Sequence, residues 1–174
     1  IKNAYNLKIQ TIIMLFYGTG IRLHELISIK LSDIDSPRMN IKILGKGKKE
    51  RYVPLNDVLL KQLRNYWQKY RPREYLFETN DRSKKYSTRS IQHMFKLAKK
   101  KTGITKEGGP HMLRHSYATH LIEGGVPLVM IQRLLGHSSV KTTSGYLWIA
   151  NQTLSDITSP LELINLPKEE AEDE

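Results

Sequence analysis

Between Pro110 and Tyr146 glycine and proline cut the chain into short helical lengths, and that punctuation limits how this part can fold. The stretch opens Pro110-His111-Met112-Leu113-Arg114-His115-Ser116-Tyr117-Ala118-Thr119-His120-Leu121. Leu134-Leu135-Gly136-His137-Ser138-Ser139 follows, and then Thr142-Thr143-Ser144-Gly145-Tyr146. A helix over about Met112 to Glu123 ends at Gly124-Gly125, Pro127 suits the start of a second, and Gly136 closes it. A third helix covers about Val140 to Trp148. Short helices joined by tight breaks pack back on one another, which brings His111, Arg114, His137 and Tyr146 together.

Upstream, Ile9, Ile12, Ile13, Leu15 and Phe16 recur at helical spacing until Gly18 and Gly20. Arg22 to Lys30 can form a second helix with Leu23, Leu26 and Ile27 as its apolar side. Asn40 to Leu44 and Arg51 to Leu55 alternate around a Gly-Lys-Gly-Lys turn, the signal of a β-hairpin. Asn56 suits the N-cap of a helix with Leu59, Leu60, Leu63 and Trp67 on one stripe. Tyr75-Leu76-Phe77 reads as a short strand. Ser87 or Thr88 then caps a helix carrying Ile91, Met94, Phe95 and Ala98 as far as Gly103. The fold class is mainly α, within α+β, with one small antiparallel sheet and no internal repeat.

The 174 residues suffice for one domain with a real core, and no apolar run approaches the roughly 18 residues of a membrane span. Zero cysteines exclude a disulfide framework and thiolate metal sites, as expected of a cytoplasmic protein. The chain opens at Ile1 without a signal-peptide pattern or a Met, so it is expected to be a fragment of a longer protein. Lysine and arginine number 28 against 17 acids, a net charge of +11. The last seven residues, Lys168 to Glu174, hold one lysine and five acids and so contribute −4, which leaves +15 on residues 1–167. Such an imbalance is the footprint of a polyanion partner, above all nucleic acid. The acidic, apolar-poor end at 168–174 is expected to be disordered.

Two upstream segments complete a set: Thr19-Gly20-Ile21-Arg22-Leu23-His24-Glu25-Leu26, and the turn Gly45-Lys46-Gly47-Lys48-Lys49-Glu50-Arg51. In order and wording, these five segments resemble the catalytic domain of a tyrosine recombinase, the phage-integrase and Xer family, over roughly residues 5–147. Any one of these residues alone is more often a surface ion pair, a solvated turn or a packed side chain. Their joint occurrence, in order, is what carries the resemblance. There are departures: Gly145 precedes the tyrosine and Leu147-Trp148 follow it, where Xer-type proteins usually have Ile before and Thr-His after. Thr158-Ser159-Pro160-Leu161-Glu162-Leu163 looks more like the ends of integron-type or transposon-borne integrases.

The resemblance implies metal-free cutting and rejoining of DNA, with no cofactor. A phosphodiester is anionic and its 5′-oxygen leaves poorly, so the chemistry needs fixed cations and a proton donor. Arg22 and Arg114 would clamp the phosphate, because a guanidinium fork binds two oxygens and stays charged. Tyr146 would be the nucleophile, and His111 and His137 would donate to phosphoryl oxygens or handle the tyrosine proton. The family's hairpin lysine corresponds to Lys46, the candidate acid for the leaving 5′-hydroxyl; spacing alone cannot choose it over Lys48 and Lys49, which would touch backbone phosphates. Glu25, one turn after Arg22, would support that arginine.

The implied layout is a catalytic domain over 1–150, a segment over 151–167 that docks on a neighbouring protomer, and an absent N-terminal DNA-clasping domain. Double-stranded DNA is the expected partner, bound by a homotetramer on two sites, with an accessory DNA-bending protein or partner recombinase, in the cytoplasm at the nucleoid. Integration of a mobile element is the expected role. Chromosome dimer resolution, a type IB topoisomerase-like nicking–closing activity and a noncatalytic DNA-binding module stand as alternatives. A metal-dependent nuclease would use His111, His115, His120 and His137, but no acid lies between His111 and His115, and Glu107 and Glu123 are poorly placed as ligands.

Overall fold

The computed structural model describes residues 6–45, 47, 49–79, 84–105 and 107–136. The helix expected over about 140–148, the segment 151–167 and the acidic end at 168–174 lie outside them.

Helix α1 (Leu7–Thr19) starts where the Asn6 side chain accepts the Ile9 N–H at 2.9 Å, and stops at Gly20 in the left-handed region with φ 62°. Its buried face is Ile9, Ile12, Leu15 and Phe16. Helix α2 (Leu23–Leu26) is a single turn, shorter than the expected run to Lys30. Lys30 instead bridges Tyr75 in antiparallel fashion, the Leu31 N–H reaches Glu74 O at 2.9 Å, and the Leu76 N–H reaches Ile29 O at 2.8 Å. Within Tyr75–Phe77, Tyr75 alone makes an isolated bridge, and no strand forms there. Ile27 and Ile29 are poor helix formers, and distant backbone partners outbid the local helix.

After a 3-10 turn (Leu31–Asp33), strands β1 (Ile34–Asp35), β2 (Asn40–Leu44) and β3 (Glu50–Pro54) form an antiparallel sheet in that order. Ile41 faces Val53 and Ile43 faces Arg51. Helix α3 (Asp57–Tyr70) begins at Asn56, whose side chain accepts the Leu59 N–H at 2.8 Å. Its stripe is Leu59, Leu60, Leu63 and Tyr66, not Trp67. Tyr66 is 1% exposed, with its ring centroid 5.2 Å from that of Phe77, whereas Trp67 is 42% exposed under the Arg71 guanidinium. Helix α4 (Thr88–Lys101) is capped by the Ser87 hydroxyl, which accepts the Ser90 N–H at 3.1 Å.

Helices α5 (His111–Glu123) and α6 (Leu128–Leu135) form a second, smaller core around Tyr117, Ala118, Ile122, Ile131 and Leu135. The larger core joins α1, α3 and the hairpin. α5 runs antiparallel to α1: Arg114 meets the end of α1 at Gly20, and His120 meets Tyr17 one turn earlier, its Nδ1 2.9 Å from the phenol oxygen. Among the described residues, no helix is long and apolar enough to cross a membrane.

Candidate active site

The seam between the two cores is where the motif residues meet. A helix ends with carbonyls that have no intrahelical donor, and its C-terminus carries roughly half a negative charge. At the end of α6, three arginines from three different elements supply those donors. Arg51 on β3 gives its Nε–H to Leu134 O at 2.9 Å. Arg114 on α5 gives an Nη–H to Leu135 O at 2.8 Å. Arg22, before α2, gives an Nη–H to Gly136 O at 3.2 Å. Three successive carbonyls thus gather three guanidiniums around the residue that His137 follows in the chain.

Glu25 is the counterweight. It is 6% exposed and accepts two bonds from Arg51, at 2.7 and 2.8 Å, a backbone bond from Arg22 at 2.7 Å and a side-chain bond from Arg22 at 3.1 Å. Burial alone would raise its pKa. The Arg51 and Arg22 hydrogen bonds and charges outweigh burial and hold the carboxyl below its ordinary range. One carboxylate against three guanidiniums leaves two positive charges. The helix end reduces that to roughly +1.5, still a site for an anion.

The two expected clamp arginines differ in exposure. Arg22 keeps 39% of its side chain exposed while its Nη1 meets Glu25 and its Nη2 meets Gly136 O. Arg114 is 6% exposed and also donates to Gly20 O. His111 opens α5 one turn before Arg114 and is exposed. Lys49 is exposed at the hairpin, where its carbonyl accepts the Gly45 N–H at 2.8 Å. Arg22, Glu25 and Arg114 are therefore brought together, with His111 on the same helix as Arg114. Lys46, Lys48, His137 and Tyr146 lie outside the described residues. His120 is engaged with Tyr17, and His115 is exposed on α5. Among the described residues, no three His, Asp or Glu side chains group as metal ligands would.

Arg51 is the residue that motif reading passed over. A signal for it existed. Alternation along β3 sets Arg51 on the same side as Val53, facing Ile41 and Ile43 on β2. A charged side chain on the buried side of a strand needs a partner, and Glu25 is that partner.

Known proteins of similar sequence and fold give the chain a family. Tyrosine recombinase XerC of Staphylococcus epidermidis is 36% identical over 160 residues, which cover 89% of this chain and 54% of that protein. The crystal structure of XerA recombinase superposes with a TM-score of 0.76 at 34% identity, covering 83% of this chain and 54% of that one. XerH site-specific recombinase, in its post-cleavage complex with palindromic difH substrate, superposes with a TM-score of 0.74 at 27% identity over 84% of this chain and 43% of that one. The chain spans about half the length of the curated relatives it matches. The pattern that defines the phage integrase family matches residues 1–152, and the chain belongs to that family.

Proposed function

We propose that this chain cuts and rejoins DNA through a covalent 3′-phosphotyrosyl intermediate on Tyr146. The observation that carries the reading is the cluster of three guanidiniums at the end of α6, of which Arg22 has a side chain that is 39% exposed. A phosphodiester seated there meets charge that is already in place, so little reorganises as the phosphorane-like transition state forms.

The Tyr146 oxygen attacks phosphorus and the bond to the 5′-oxygen breaks. The phenol proton passes to His111 or His137, and Lys46 protonates the departing 5′-oxygen. The ester keeps the bond energy, so a 5′-hydroxyl can reverse the step without ATP or metal. Glu25 holds Arg22 in place without neutralising the site.

The exposed residues Arg89, His93, Lys96 and Lys100 recur along one side of α4 at helical spacing and suit a phosphate backbone. XerH, bound to its difH substrate, supports double-stranded DNA as the partner. A tetramer on two sites, assisted by a DNA-bending protein or partner recombinase and docked through 151–167, is the proposed working form, acting at the nucleoid. The Ser159-Pro160-Leu161 phrase supports integration of a mobile element. The Xer-named relatives favour a second role, chromosome dimer resolution.

Nicked duplexes of pooled sequence, incubated in EDTA, test the reading. The parent chain should cleave and Tyr146→Phe should bind without cleaving. Cleavage by Tyr146→Phe would refute the mechanism, and activity lost to EDTA would point to a metal-dependent nuclease.

A further inference from the structure

The three arginines at the end of α6 are not equivalent. Arg51 commits all three of its guanidinium nitrogens to protein acceptors: Nε to Leu134 O, Nη1 to Glu25 Oε1 and Nη2 to Glu25 Oε2. Its side chain is 12% exposed, so it is poorly placed to receive a phosphate. One glycine makes room for it, and a second stands within ordinary contact distance. A Cβ on Gly136 would lie 3.1 Å from Arg51 Cδ and Nη1, and one on Gly45 would lie 3.7 Å from Arg51 Nη1 and 3.8 Å from Glu25 Oε1. Gly45 opens the hairpin turn that contains Lys46, and Gly136 precedes His137. The Arg51 side chain therefore lies between the turn that holds one motif residue and the helix end that leads to another.

We propose that Arg51 is a positioning residue that fastens the β2–β3 hairpin to the end of α6. It sets the hairpin lysine relative to the phosphate clamp while touching neither DNA nor the reacting atoms. The proposal rests on the DNA-cleavage reading given above, with Lys46 as the acid. Arg51 sits in β3 opposite Ile43, so the bonds that hold its guanidinium tether the strand that leaves the turn. A lysine at 51 keeps the charge but offers one donor centre, which cannot grip both carboxylate oxygens and a carbonyl set apart from them. The arrangement predicts a defect that depends on how much the leaving group needs a proton.

The test uses Arg51→Met and Arg51→Lys with pooled nicked duplexes that carry oxygen or sulfur at the scissile 5′ position. A thiol ionises near pH 8.5 and leaves without an acid, whereas an alkoxide does not. Arg51→Lys, which keeps the charge, should bind DNA like the parent, and both variants should cleave the oxygen substrate about 10- to 100-fold more slowly, the range for residues that orient a reacting group. Sulfur should restore most of that loss. Equal loss on both substrates, or no loss on either, overturns the link to the hairpin acid. Amide hydrogen exchange in DNA-free protein gives a second readout, with Lys100→Met as control. Exchange over residues 128–135 should quicken in both Arg51 variants and not in the control; unchanged exchange overturns the fastening itself. If the parent forms no phosphotyrosine with either substrate, the cleavage reading fails, and the exchange result still decides whether Arg51 holds α6.

Discussion

Gly20→Ala tests how tightly the site's foundation is packed. Gly20 ends α1 with φ 62°, and its carbonyl accepts Arg114, so it carries both a backbone and a site requirement. A Cβ there would run into Tyr117 Cδ1, lie 2.8 Å from Tyr117 Cε1 and lie 2.9 Å from Leu135 Cδ2. The left-handed backbone costs alanine about 1–2 kcal/mol. Forcing the methyl against two core side chains adds about 1–3 kcal/mol. The sum, about 2–5 kcal/mol, is a large part of the 5–15 kcal/mol that holds a typical domain folded. In urea unfolding followed by far-ultraviolet circular dichroism, a slope of about 2 kcal/mol per molar places the midpoint some 1–2.5 M lower. Tyr117→Leu in the same background should recover part of the packing cost but none of the backbone cost, so the two changes should be non-additive. A loss under about 1 kcal/mol, or strict additivity, would refute this account of how α1 meets the second core.

Glu25→Gln leaves two guanidiniums facing a neutral amide, and should lower stability by about 3–5 kcal/mol in the same unfolding assay at neutral pH. Because the folded carboxyl titrates below its ordinary 4.5, the parent gains stability that is present above that value and lost as pH falls through the folded pKa. The variant's stability should therefore fall less between pH 5 and 3, as unfolding midpoints across that range will show (about the interval spanned by ordinary and paired carboxylates). Arg22→Ala should slow cleavage by about 100- to 1,000-fold in single-turnover assays, yet weaken DNA binding only about tenfold, since one charge-assisted contact is worth about 1.5 kcal/mol. Lys96→Gln with Lys100→Gln should reduce the slope of log affinity against log salt by about 0.9 per contact, and leave stability within about 0.5 kcal/mol.

What the sequence made legible follows from local physics. The caps at Asn56 and Ser87, the stops at Gly20 and Gly136 and the β2–β3 pairing each depend on residues close in the chain. Motif wording located Arg22, Glu25 and Arg114, and the fold brings these together across more than ninety residues of sequence, as the Gly20–Arg114 contact shows. The misreadings have nonlocal causes. Helix α2 stops because the backbone around Lys30 pairs with Glu74 to Leu76, which no local rule reveals. Tyr66 and Trp67 sit at i+3 and i+4 from Leu63, so periodicity admits both. Tertiary packing against Phe77 buries the first, and Arg71 covers the second at the surface. Arg51 was readable as an inward-facing charge, but its acceptors at Leu134 and Glu25 lie 83 and 26 residues away.

A covalent bond between DNA and Tyr146 is what separates strand transfer from DNA binding alone. Mass spectrometry of the protein after incubation with nicked duplexes of pooled sequence, in EDTA and under denaturing workup, reads that bond directly. A nucleotide adduct is expected on the peptide containing Tyr146 and is expected to be absent from Tyr146→Phe. An adduct on another residue, or salt-sensitive DNA binding with no adduct, would contradict a phosphotyrosyl mechanism.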